Sequence, residues 1–150
     1  MSNTGVLNLL AQNKSDLSSA VYWLERSYKL CTKVGVKVEY EDFEYDMFET
    51  LTARYARCID LIVRKVLRTL DIAEFDQPGT LIDTVNRAEK RGFIDDISSL
   101  RRMTDLRNEI AHDYIKSELL TTFGEVLLQT SKLIQLARNI DRYIGLNFNF

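Results

Sequence analysis

Apolar residues along this chain recur at steps of three and four, the spacing of one face of an α-helix, rather than in the alternation of a half-buried strand. From about residue 5 to 31 the stripe is Leu10, Leu17, Val21, Leu24, Tyr28 and Cys31. The next stretch, VGVKVEYEDF, is rich in β-branched residues and carries Gly35, so it reads as a loop or a short extended piece, with the loop favoured. From about Asp42 to Asp71 the stripe is Phe48, Leu51, Tyr55, Cys58, Ile62, Val66 and Leu70. Glu44, Asp46 and Glu49 near its start and Arg64, Lys65 and Arg68 near its end suit the helix dipole. FDQPGT breaks the pattern, and Thr80 is placed to cap a short helix from Leu81 to Arg91 that Gly92 ends. A fourth helix is expected from Asp95 or Asp96 through ISSLRRMTDLRNEIAH. The last, from about Ser117 to Tyr143, offers Leu120, Phe123, Leu127, Ile134, Ala137, Ile140 and Ile144 to a core. The pattern predicts an all-α fold, an antiparallel bundle of four to five helices forming one domain over residues 1–150.

Composition narrows this picture. One Pro and six Gly are too little turn material for a sheet architecture. A formal net charge of -2 argues against a general nucleic-acid coat, which needs a broad excess of Lys and Arg to displace counterions, so any RNA contact must be local. Cys31 and Cys58 show no CxxC spacing, and the N-terminus lacks the basic start and apolar run of a signal peptide. Reduced thiols, a cytoplasmic location and no membrane role are expected, since no apolar run approaches the roughly 20 residues of a bilayer span. Phosphate-binding glycine loops, the Gly-Ser element and paired Asp of a nucleotidyltransferase, and zinc-ligand clusters are all missing, so no cofactor and no metal are expected.

The chemistry concentrates on the fourth helix. Leu100, Met103, position 107, Ile110 and position 114 step along one stripe, and position 107 is Arg. A guanidinium in line with core positions needs either an internal carboxylate or an anionic ligand. His112, the only histidine, lies about 140° around the helix from Arg107, with Asn108 and Ala111 between them. Taken alone it reads as a surface histidine or one satisfying the helix C-terminus, and it is its neighbours that point to function. Tyr114 continues the stripe and reads as core packing or as a functional phenol.

Together these residues form RNEIAHDY, from Arg107 to Tyr114. This octamer resembles the R-x4-H-x-Y signature of the HEPN superfamily. It is similar to the HepT toxins of type VII toxin–antitoxin systems, encoded beside a minimal nucleotidyltransferase (MNT) antitoxin. The resemblance implies a homodimer with the motif at a shared cleft, and a metal-independent endoribonuclease acting on tRNA or mRNA. Arg107 and His112 match the family's catalytic pair, and Asn108 matches the polar residue that follows the Arg. Tyr114 matches the tyrosine that the antitoxin adenylylates. Elementary chemistry agrees: cleavage without a metal needs a base for the 2′-hydroxyl, an acid for the leaving 5′-oxygen and donors for the phosphorane charge. With one His per chain, two proton steps performed by histidine require two copies.

Arg54, Arg57, Arg64 and Arg68 step along one side of the second helix, and Arg87, Lys90, Arg91, Arg101 and Arg102 enrich the approach to the motif. They read either as a basic path for RNA, with Arg64, Arg68, Arg101 and Arg102 its nearest members, or as solvated helix faces. Asp60, Asp95, Asp96 and Asp105 dilute the charge. The competing functional readings are a non-catalytic subunit presenting a substrate to the nucleotidyltransferase, and a structural helical adaptor.

Overall fold

The computed structural model describes residues 3–112 and 116–150, and every regular element among them is helical. In chain order they are α1 (Asn3–Val34), α2 (Asp42–Leu61), a π-helical turn (Ile62–Val66), α3 (Leu67–Phe75), α4 (Leu81–Lys90), α5 (Ile97–His112) and α6 (Lys116–Asn147). Because α2, the π turn and α3 follow without a break, they form one rod, and the bundle has five rods.

That rod departs from the single α-helix expected over 42–71. All seven of its stripe residues, Phe48 to Leu70, are buried. From Cys58 onward, however, they are spaced four apart, and four residues of α-helix overshoot a full turn by about 40°. The wider π turn takes up this drift, with the Leu67 amide donating back to the Ile62 carbonyl. The rod then runs past Asp71 to Phe75 and ends on Asp76 in the left-handed conformation.

Named contacts fix the directions of the frame. Asn13 Nδ2 donates to Thr69 Oγ1 (2.8 Å), while Arg54 Nη1 donates to Ser27 Oγ (2.6 Å), so α1 and the rod are antiparallel. Lys14 pairs with Asp141 (3.0 Å) and Arg138 with Glu25 (2.8 Å), which sets α6 antiparallel to α1 as well. Phe123 stacks on Phe48 with centroids 5.1 Å apart, and Tyr143 donates to Glu74, so α6 and the rod run the same way. One apolar core, including Leu10, Leu17, Leu24, Tyr55, Phe123 and Ile140, lies among these three rods and α5. The segment between α1 and α2 is a loop, as favoured from the sequence, and its Tyr40 packs edge-on to Phe123.

The two short helices are attached differently. α4 is capped as expected: Thr80 Oγ1 accepts from the Asp83 amide (3.2 Å) and Asp83 Oδ2 accepts from the Thr80 amide (2.9 Å). Gly92, at φ 80°, follows its end. Its buried residues are only Thr84 and Ala88, so its anchorage is largely polar. Asp71, fully buried on α3, accepts from Arg91 Nη1 (2.7 Å) and Thr84 Oγ1 (3.3 Å) and pairs with Arg87 Nη1 (3.2 Å). Arg91 also reaches Glu74 (3.1 Å), and Arg87 lies over the Phe75 ring at 4.6 Å. Arg87 and Arg91 are therefore turned inward and do not contribute to a basic approach. α5 is fastened to the rod by the buried Tyr55 hydroxyl, which donates to the Met103 carbonyl (2.8 Å). No helix among the described residues is long and apolar enough to cross a membrane.

Candidate functional site

Along α5 the buried line is Leu100, Met103 and Leu106, continued by the half-buried Ile110. Leu106, not position 107, occupies the core place. The expected stripe through 107 is thus displaced by one residue, and Arg107 sits at the edge of the buried face, with a quarter of its side chain exposed. That edge faces the rod, and there Arg107 meets Asp60. Nε donates to Oδ1 (2.7 Å) and Nη2 to Oδ2 (2.8 Å), a bidentate pair. The carboxylate raises the Arg107 pKa above its already high ordinary value, chiefly through these hydrogen bonds. Of the two partners open to Arg107 on sequence grounds, the structure supplies the internal carboxylate.

Asp60 is also the nearest acid to Arg64, whose Nε lies 3.8 Å away. Around this pair opens a cleft of about 250 Å³, lined by Ile59, Asp60, Val63, Arg64, Arg68, Leu81, Thr104, Arg107 and Asn108. Three guanidiniums and one carboxylate leave it a net charge of two positive, which suits an anionic group. Leu81, Thr104 and Asn108 also border a second groove, of about 340 Å³, between α4 and α5, where Arg101 lies with the exposed Ile82.

The structure therefore brings Arg107, Asn108, Arg64 and Arg68 together, and places Arg101 in the adjoining groove. It does not place Arg102 there. Its Nε donates to Glu125 (2.8 Å), tying α5 to α6, and its Nη1 to Glu109 (3.5 Å) further along α5. Arg54 is likewise committed, to Ser27 Oγ, the Trp23 carbonyl (3.1 Å) and the Trp23 ring (5.3 Å). His112 is exposed at the end of α5 and does not line the cleft of Arg107. The helix carries it about 7.5 Å along the axis and about 140° around from Arg107. Tyr114 lies outside the described residues.

Sequence reasoning counted Asp60 only as a dilution of positive charge. A signal was present: Asp60 is the sole acid between Glu49 and Asp71, so an Arg of α5 packing on the middle of that rod had one candidate partner. Among the described residues no three His, Cys, Asp or Glu side chains gather as a metal ion needs. No family model, no curated protein and no solved structure matches the chain.

Proposed function

We propose that the chain is a HEPN-like toxin, a metal-independent endoribonuclease acting on tRNA or mRNA in the cytoplasm and silenced by adenylylation of Tyr114. The observation that carries this reading is the sequence octamer RNEIAHDY, whose residues Arg107–His112 close α5, with Arg107 fixed beside Asn108, Arg64 and Arg68 in a positive cleft. A phosphodiester entering the cleft meets guanidinium donors suited to its oxygens. One histidine takes the 2′-hydroxyl proton, the 2′-oxygen attacks phosphorus, and a second protonates the departing 5′-oxygen. The products are a 2′,3′-cyclic phosphate and a 5′-hydroxyl.

Within one chain His112 stands away from Arg107, so a homodimer supplies the second set of groups, with Arg107 of one copy working beside His112 of the other. A partner nucleotidyltransferase of the MNT class provides the adenylyl group. Its transfer to the Tyr114 phenol adds bulk and phosphate charge close in sequence to Arg107.

Inducing the chain alone, beside His112→Ala, and mapping RNA termini tests the reading. Growth arrest with new cyclic-phosphate ends for the native chain, and neither for the variant, is the expected result. Identical behaviour of the two overturns it in favour of a subunit that presents substrate to the nucleotidyltransferase.

A further inference from the structure

We propose that Asp60 is the positioning residue of this site: it holds Arg107 by one edge, leaves the other edge to the scissile phosphate, and cancels the charge Arg107 would otherwise add to RNA binding. The proposal rests on the ribonuclease reading and extends it to a residue outside the motif.

The geometry is that of a clamp. A guanidinium has five N–H donors in a planar fork. Asp60 takes the Nε donor and one on Nη2, at 2.7 and 2.8 Å. Three donors remain, on Nη1 and Nη2, and two of them point in parallel from the end of the fork, where they can straddle two phosphate oxygens. Held through two bonds, the flexible Arg side chain is aimed before substrate arrives, so no ordering cost falls on the chemical step. The clamp is itself carried on the packed rod, since Ile59 and Ile62 on either side of Asp60 are buried.

Charge follows from the same contact. The Asp60–Arg107 pair is neutral as a unit, so long-range attraction for RNA comes from Arg64 and Arg68. The directed donors of Arg107 then act mainly where charge develops, on the phosphorane, which is how a preorganised group favours the transition state over the ground state. Binding and turnover are thereby assigned to different guanidiniums of one cleft.

Asp60→Asn separates the two effects. The amide keeps the shape, removes the negative charge and can accept with only one of its two terminal atoms, so the fork loosens. Affinity for a fluorescent single-stranded oligodeoxynucleotide, which lacks the 2′-hydroxyl and is not cleaved, is expected to rise about threefold or more. The kcat on total RNA is expected to fall at least about tenfold. Asp60→Glu, which restores a carboxylate, is expected to recover much of the rate and the native affinity, with thermal unfolding followed to confirm that each variant is folded. An unchanged kcat, or rate and affinity falling together, overturns the proposal. If the native chain cuts no RNA, the ribonuclease reading fails first, and the oligodeoxynucleotide arm still decides the electrostatic half: weaker or equal binding by Asp60→Asn overturns it.

Discussion

Replacing Asp71 by Asn removes the fully buried carboxylate that gathers the α4 contacts of Arg87, Arg91 and Thr84. Asp71 is fully buried, and Arg91 beside it is only 7% exposed, so both charges have left water. Breaking a buried pair by deleting one partner typically costs about 3–5 kcal/mol, because the other charge stays buried and uncompensated. Two features moderate this. Arg91 keeps Glu74 at 3.1 Å, and Arg87 is 25% exposed and can turn to solvent. A loss of about 3 kcal/mol is expected, roughly 6–12 °C in Tm for a domain of this size. Urea unfolding followed by circular dichroism measures it. The double variant Asp71→Leu with Arg91→Met, which removes both buried charges at similar volume, is expected to cost less than the two single changes added together. A loss below about 1 kcal/mol for Asp71→Asn would refute the view that α4 hangs on this contact, and with it the claim that Arg87 and Arg91 are structural.

Three further outcomes follow from the packing. Tyr55→Phe deletes the hydroxyl that ties the rod to the Met103 carbonyl and is expected to cost about 1 kcal/mol in urea unfolding, with helix content unchanged. Gly79→Ala places a Cβ 2.8 Å from Asp83 Oδ2 at a φ of +72°, and is expected to lower stability by about 1–2 kcal/mol through strain and a disturbed α4 cap, read from the same unfolding curves. Burial pushes the Cys58 thiol up to about 12 and Cys31 up to about 11. Both folded values lie above the unfolded one of about 8.5, so this contribution to stability is complete below that pH and is lost as pH rises towards the folded values. Native thiols are expected to resist Ellman's reagent at pH 8 and to react on unfolding. The fall in unfolding free energy between about pH 9 and 11 is expected to be shallower in Cys58→Ala.

The helices were legible because their signals are local. Thr80, Gly92 and the stripe of the second rod each specify something within a few residues of themselves, and the structure uses all three as read. What escaped was set by partners distant in sequence. Nothing near Arg107 says that Leu106 takes the core place, because the choice between two adjacent positions depends on where Asp60 stands 47 residues earlier. Arg87 and Arg91 look like solvated helix-end cations until Asp71 is folded beneath them. The π turn escaped for a related reason: four-residue steps from Cys58 to Leu70 are tolerated by a helical pattern and become a constraint only when every one of those side chains must be buried.

That turn also sets the phase between the two halves of the rod. Asp60 lies before it and Arg68 after it, yet both line the same cleft. Rewinding the segment Ile62–Val66 as regular α-helix at the same length would turn everything downstream by roughly one residue's rotation, about 100°. Leu70 would then leave the core and Arg68 the cleft, while Asp71 would no longer stand beneath Arg91. The spacing of charges in the cleft and the seating of α4 are thus timed by the same few residues, so a change of winding there is a change of wiring, whatever letters fill the segment.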